Sequence, residues 1–191
     1  MRAQASRMES LISDMLKLAR LEADVVQSRQ DLIDMPRVLS GALESARGLS
    51  RDRHRIEADV DPGLRLYGRE SELHSLATNL LSNAVHYTPD AGTIALRWWC
   101  DDNGAYLEVQ DSGIGIDAKD LPRLTERFYR VDVSRSREQG GTGLGLAIVK
   151  HALEHHEGQL EVHSEAGKGS RFRCHFPSHR AHRAARTAAN A

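Results

Sequence analysis

Apolar residues recur at steps of three and four in the first part of the chain, which is the spacing of one helix face. Residues 1–24 carry this pattern without a Gly or Pro to interrupt it. Its apolar positions are Met8, Leu11, Ile12, Met15, Leu18 and Ala19. A single helix cannot bury such a face by itself. The pattern therefore predicts a helix that joins a bundle, or alternatively one that packs on its own domain.

Three further helices are predicted, over residues 35–49, 70–87 and 142–157. The 70–87 helix has the clearest apolar side, and we expect it to face a core with Leu73, Leu76, Ala77, Leu80 and Ala84.

Strands are indicated by turn residues and by alternation of apolar and polar positions. Residues 54–60 and 64–68 are predicted to form a pair of strands around the turn sequence Asp61-Pro62-Gly63. Three later segments predict strands with one buried face: Ile94, Leu96, Trp98 and Cys100; Ala105, Leu107 and Val109; Phe172, Cys174 and Phe176. The predicted fold is α+β, a two-layer α/β sandwich with a mixed, largely antiparallel sheet covered by helices on one face and preceded by one long bundle helix.

The bulk properties narrow the class of protein. The 191 residues suffice for one domain plus an appendage, and the net charge of −1 argues against a nucleic-acid binder. Cys100 and Cys174 form no CxxC pair, which favours a reduced, cytoplasmic chain. No apolar run approaches the roughly 20 residues that span a bilayer, and the N-terminus does not resemble a signal peptide, so we expect a soluble chain. Residues 178–191 contain no large apolar residue and are predicted to be a mobile tail.

Polar residues line one flank of the predicted 70–87 helix. Asn79, Asn83, His86 and Tyr87 lie beside its apolar stripe. Amide oxygens are hard ligands that suit Mg²⁺, which is often held partly by phosphates and water. An exposed or helix-capping role for these asparagines is the alternative.

A carboxylate stands at the end of the second alternating strand. Counting by twos through Ala105, Leu107 and Val109 places Asp111 on the buried side, where it needs hydrogen-bond donors; a purine amino group is one candidate. Gly113 and Gly115 follow and let the backbone approach a ligand closely. This loop also matches a loose dinucleotide-binding pattern, which the antiparallel sheet and the lack of repeated βαβ units disfavour.

A glycine-rich loop leads into the last predicted helix, with the sequence GGTGLGLA from residue 140. Backbone N–H groups at a helix N-terminus favour anions, so this loop predicts a phosphate site that is not a P-loop. The preceding polar stretch could form a lid, and Arg130 could reach a γ-phosphate. A further glycine turn, GKGSRF, enters the last strand.

Together these segments resemble the catalytic and ATP-binding domain of sensor histidine kinases, within the wider ATP-binding fold shared with gyrase, Hsp90 and MutL. NLLSNAVHYTP is similar to the asparagine box of that family, DSGIGI to its first glycine box and ERFYRVD to its phenylalanine box. GGTGLGLAIVKHALEHHEG is similar to the second glycine box and GKGSRF to the third. The resemblance assigns residues 25–177 to this domain.

The first segment adds to the resemblance. Residues 1–24 are similar to the second helix of the dimerisation and histidine-phosphotransfer domain, which is incomplete here. The segments LKLARLEA and FYRVD resemble the corresponding sequences of sensors of the phosphate-regulon type. The phosphoacceptor box of the family is not found around any of the ten histidines. This implies a kinase module whose acceptor histidine is absent from this chain, so that the chain alone is not expected to autophosphorylate.

The resemblance implies an ATP and Mg²⁺ site with roles by position. Asp111 would bind the adenine amino group, Tyr87 would lie against adenine or ribose, and Asn83 with Asn79 would organise Mg²⁺. Arg130 and the loop amides would hold phosphates. The full implied ATP site comprises Asn79, Asn83, His86, Tyr87, Asp111, Gly113, Gly115, Arg130, Gly141, Thr142, Gly143, Leu144, Gly145 and Ser170. At position 86 the family often has Lys, whereas His86 is largely neutral near pH 7.

The implied partners are ATP, an acceptor histidine helix of the same kinase and a response regulator, with no nucleic acid. The full-length kinase would be a homodimer anchored in the inner membrane. Two alternatives stay open. One is a nucleotide-binding or dimerising fragment without its own kinase activity. The other is a gyrase- or Hsp90-type ATPase, which the amide of Asn79 disfavours because these enzymes have a Glu base there.

Overall fold

A five-stranded sheet with helices on one face forms the centre of the molecule. The structure, a computed structural model, describes residues 8, 11–16, 18–19, 30–131 and 142–183. Its strands are β1 (Asp31–Ile33), β2 (Arg55–Val60), β3 (Leu64–Gly68), β4 (Thr93–Asp101), β5 (Gly104–Asp111), β6 (Gln159–Glu165), β7 (Gly169–Pro177) and β8 (Ala181–Arg183). Its helices are α1 (Met35–Ser50), α2 (Glu70–Tyr87) and α3 (Gly145–His155), with short 3₁₀ turns at Leu121–Arg123 and Ser178–Arg180.

The large sheet has the strand order β2-β4-β5-β7-β6. Its β2–β4 pair is parallel, and its other three pairs are antiparallel. In register across the centre, Trp98 pairs with Leu107 and Leu107 pairs with Cys174. All three are almost completely buried, as the alternation predicted. The predicted mixed, largely antiparallel sheet is therefore confirmed.

Helices α1, α2 and α3 cover the apolar face of this sheet, with α2 between the other two. Helix α1 begins where the Asp34 side chain accepts a hydrogen bond from the Arg37 amide at 3.3 Å, with Pro36 in the first turn. Helix α2 has the predicted bounds and buries Leu73, Leu76, Leu80 and their neighbours. The core therefore lies between α2 and strands β4, β5 and β7, and it fixes the flank of α2 that carries the asparagines.

The two short strands predicted around Asp61-Pro62-Gly63 exist, but the prediction that they pair with each other is wrong. Strand β2 adds to the edge of the large sheet beside β4. Strand β3 pairs with β1 and β8 in a separate three-stranded sheet. The turn between them thus carries the chain from one sheet to the other instead of closing a hairpin.

The prediction that residues 178–191 form a mobile tail is also wrong for the first part of that segment. Residues 178–180 form a 3₁₀ turn and 181–183 form β8, which pairs with β3. The anchor is polar: the Arg180 side chain is buried and donates hydrogen bonds to Gln30, at 2.8 Å, and to Glu157. A search for apolar residues cannot detect such an anchor. Residues 184–191 lie outside the described residues.

The described residues of the N-terminal segment, 8, 11–16 and 18–19, are helical, as predicted. Most of their apolar side chains are exposed, including Met8, Ile12, Met15 and Leu16. Leu18 differs from these, because it is buried against Leu144 and Ile148. The rest of the predicted 1–24 helix falls outside the described residues. Within the described part of the chain, no helix has the length and apolar character to cross a bilayer.

Candidate functional site

A cavity of about 730 Å³ opens between α2, the end of β5 and the start of α3. Its size is typical of a small-molecule site. It brings together most of the predicted site residues, namely Asn79, Asn83, His86, Tyr87, Asp111, Gly115, Arg130, Thr142, Gly143, Gly145 and Ser170. These residues come from segments that are far apart in sequence, and the fold places them around one space.

Asp111 lies at the buried end of β5, between Ile94 on β4 and Ser170 on β7. Its Oδ1 accepts a hydrogen bond from the Gly113 amide at 2.8 Å. Burial raises the pKa of the Asp111 carboxyl above its usual value, while the backbone hydrogen bonds of Gly113 and Ser170 act in the opposite direction. The carboxylate therefore has acceptor capacity left for a donor inside the cavity.

The loop after Asp111 is held by hydrogen bonds on both sides. The Ile114 amide donates to the Tyr87 carbonyl at 3.0 Å, and the Gly167 amide donates to the Ile114 carbonyl at 2.7 Å. Gly115 has a φ of +66°, and a Cβ there would overlap the Glu165 carbonyl. Gly113 does not line the cavity itself; a side chain there would collide with the Tyr87 carbonyl.

The polar flank of α2 forms one wall. Asn79 donates from Nδ2 to the Ser75 carbonyl at 2.8 Å, and its Oδ1 faces the start of α3, where a Cβ on Gly145 would lie 2.8 Å away. Asn83, one turn further along α2, also lines the cavity. Two amide oxygens on this wall are the hard donors that Mg²⁺ accepts, so the residues present fit that ion.

His86 lies on the same wall and is partly buried. Burial is the main cause that lowers its pKa below the usual value; the Arg53 charge adds to this, and a hydrogen bond with the Ser82 backbone opposes it. The imidazole is therefore mostly neutral near pH 7. It supplies little of the positive charge that a lysine would bring to a phosphate at this position.

The glycine-rich segment forms the other end of the cavity. Gly143 has a φ of +75° and its carbonyl accepts a hydrogen bond from the Phe128 amide at 2.9 Å. The Leu144 amide donates to Thr142 Oγ1 at 3.3 Å. Leu144, which was also predicted for the site, has a buried side chain and does not line the cavity. Gly141 lies outside the described residues.

The sequence profile of the family described as "Histidine kinase-, DNA gyrase B-, and HSP90-like ATPase" matches residues 68–180. This range contains every segment that lines the cavity except the N-terminal helix. The chain belongs to this family.

Relatives within the histidine kinase branch match over nearly the whole chain. The phosphate regulon sensor protein PhoR of Pseudomonas aeruginosa is 53% identical over 92% of this chain and 40% of its own length. The sensor-like histidine kinase SenX3 of Mycolicibacterium smegmatis is 35% identical over 93% of this chain and 46% of its own length. The chain thus spans less than half the length of these curated relatives.

Solved structures confirm the fold of this chain. The mycobacterial sensor histidine kinase MprB aligns with a TM-score of 0.68 at 31% identity, over 78% of this chain and 97% of its own. The full-length protein ShkA, solved in complex with AMPPNP, aligns with a TM-score of 0.74 at 29% identity, over 88% of this chain and 35% of its own. The α+β fold and the resemblance to sensor histidine kinases are both confirmed.

The cavity also contains residues that the sequence did not single out. An apolar wall is formed by Ile114, Ile116, Leu124 and Phe172. The two isoleucines interleave with Gly113 and Gly115, a signal that could have been followed. Ser13 and Asp14 come from the N-terminal helix, and no local pattern predicts a contact across 128 residues between Asp14 and Thr142.

Proposed function

We propose that the chain is the ATP-binding catalytic part of a sensor histidine kinase of the phosphate-regulon type. It would transfer the γ-phosphoryl group of ATP to a histidine that this chain does not contain. The observation that carries the proposal is the single cavity that joins the buried Asp111 to the amides of α2 and the glycine-rich start of α3. The nucleotide analogue AMPPNP in the related ShkA complex supports the choice of ligand.

Adenine is proposed to bind at the Asp111 end. The carboxylate would accept a hydrogen bond from the exocyclic amino group. This donor would offset the cost of burying the carboxylate. Ile114 and Phe172 provide apolar contact for the ring, and Tyr87 lies at the mouth with 39% of its surface exposed. This end of the cavity favours a flat heterocycle with one donor at its edge.

The phosphates are proposed to bind at the start of α3. Amides of residues 142–145 and the positive end of the helix dipole favour anions. Asn79 and Asn83 would hold Mg²⁺, which would neutralise negative charge of the phosphates. Arg130 also lines the cavity and would add a second source of positive charge.

The proposed chemistry is phosphoryl transfer. A nitrogen of the acceptor imidazole would form a bond to the γ-phosphorus while the bond from that phosphorus to the bridging oxygen breaks and ADP leaves. The residues of this chain would contribute positioning and charge stabilisation. Because an amide cannot accept a proton from water, Asn79 supports transfer to a histidine over hydrolysis.

The proposed partners follow from the same assignment. A second kinase chain would cover the exposed apolar residues Met8, Ile12, Met15 and Leu16 in a helix bundle. A response regulator would receive the phosphoryl group, and membrane anchoring would belong to the full-length kinase.

The test is to mix the chain with a helical hairpin from a candidate acceptor domain and ATP labelled on the γ-phosphate. Acid-labile, base-stable label on the hairpin is expected, with none on the chain incubated alone. Asp111→Asn should strongly reduce transfer, and Asp102→Asn, in the exposed β4–β5 turn, is the matched control. ATP binding without transfer to any hairpin would favour the binding fragment, and phosphate release in water would favour the ATPase.

A further inference from the structure

The N-terminal helix reaches into the phosphate end of the cavity. Ser13 and Asp14 are part of the cavity wall. Thr142 Oγ1 donates a hydrogen bond to Asp14 Oδ2 at 2.8 Å. One turn further along the helix, Leu18 is 5% exposed and packs against Leu144 and Ile148. A carboxylate is thus fixed beside the loop that leads into α3.

This position is one where a phosphate oxygen is expected. The start of α3 attracts negative charge through its first-turn amides and its dipole. The Thr142 hydroxyl has a single proton, so it cannot donate to Asp14 and to a phosphate oxygen at the same time. A carboxylate and a phosphate side by side also repel each other.

Most of the large apolar side chains in the described part of the helix are exposed. Leu18 supplies a buried apolar contact, while Met8, Ile12, Met15 and Leu16 keep about half or more of their surface exposed. Leu18 and Asp14 thus supply two of the contacts that hold the described part of the helix to the domain.

We propose that Asp14 is an internal competitor for the phosphate groups of the nucleotide. Docking of the N-terminal helix lowers the affinity for ATP, and ATP in turn displaces the helix, because a coupling between two binding events acts equally in both directions. The inference rests on the proposed ATP site and adds to it a residue that makes nucleotide affinity depend on the position of the N-terminal helix.

The test compares nucleotide affinities of the chain and two variants by titration calorimetry. Asp14→Asn removes the charge, and Leu18→Ala removes the apolar anchor. Each should bind ATP about fivefold more tightly, the size expected for two unit charges about 4 Å apart in water. The gain should shrink in high salt, and the affinity for adenosine should not change. Asp59→Asn, an exposed carboxylate on β2 whose side chain is 83% exposed, is the control for loss of charge.

A second measurement reads the helix itself. Hydrogen exchange of residues 11–19 should accelerate when ATP is added to the unmodified chain and stay constant with adenosine. Unchanged or weaker ATP binding by Asp14→Asn would overturn the competition while leaving the proposed function intact. If neither the chain nor any variant binds ATP, the proposed function fails and the competition fails with it.

Discussion

Replacing Asp111 by Asn is the sharpest test of the adenine assignment. The substitution keeps Oδ1, so the hydrogen bond from the Gly113 amide at 2.8 Å can persist. It also removes a negative charge. Burial raises the pKa of the Asp111 carboxyl, which means that the ionised carboxylate destabilises the folded state at neutral pH. The nucleotide-free variant should therefore melt at the same temperature as the parent or higher. Folding and binding can then be separated.

The loss in binding can be sized from the bond that is removed. A hydrogen bond to a charged group contributes about 1.5–3 kcal/mol, which corresponds to roughly 10- to 150-fold in affinity. The introduced amide can also turn its NH₂ toward the adenine amino group and place two donors against each other. We therefore expect the loss in ATP affinity to lie near the larger end of that range.

The same variant should change which base is preferred. A purine triphosphate with a carbonyl oxygen in place of the amino group offers an acceptor, and the amide introduced by Asp111→Asn offers a donor. Titration calorimetry with ATP and inosine triphosphate should show the preference for ATP shrinking or reversing in this variant. Unchanged ATP affinity, or an unchanged ratio between the two nucleotides, would refute the placement of adenine at this carboxylate.

Three further predictions concern the frame around the site. Gly115→Ala should strongly weaken ATP binding in calorimetry, because its φ of +66° and the nearby Glu165 carbonyl leave no room for a Cβ; equal affinity would contradict this. Phe176→Ala in the buried core should lower the free energy of unfolding by about 3–5 kcal/mol in urea titrations. The third prediction concerns His156, whose Nε2 accepts a hydrogen bond from the Arg69 amide at 3.1 Å. Burial lowers the pKa of this imidazole in the folded state. Below the unfolded pKa of 6.5, the unfolded state therefore binds a proton that the folded state does not bind. Urea unfolding should accordingly show lower stability at pH 5.5 than at pH 7.5, and the opposite order would exclude this role.

The elements with strong local patterns were predictable. Helix α2 begins and ends where its periodicity does, and the inward position of Asp111 followed from alternation along β5. Both depend on residues close together in sequence, where side-chain direction repeats regularly. The fold class and the buried position of Asp111 in the candidate site could be predicted from the sequence for this reason.

Pairings between distant segments were not predictable in the same way. The alternation of β2 and β3 does not say which strand each joins, and they joined different sheets. Edge strand β6 has only Leu160 and Val162 as large apolar residues, and this alternation is too short to predict a strand. Arg180 and Asp14 act through long-range polar contacts, and charged residues are by default expected at the surface.

The hydrogen bonds around the loop after Asp111 have a consequence for inhibitor design. That loop is tied to the end of α2 and to the β6–β7 turn, whereas Asp14 acts at the opposite end of the cavity. A compound that mimics adenine alone would thus meet a preformed pocket and leave the position of the N-terminal helix unaffected. Its potency should be equal whether or not the N-terminal helix is docked, whereas a compound carrying a phosphate mimic should bind more tightly when the helix is undocked.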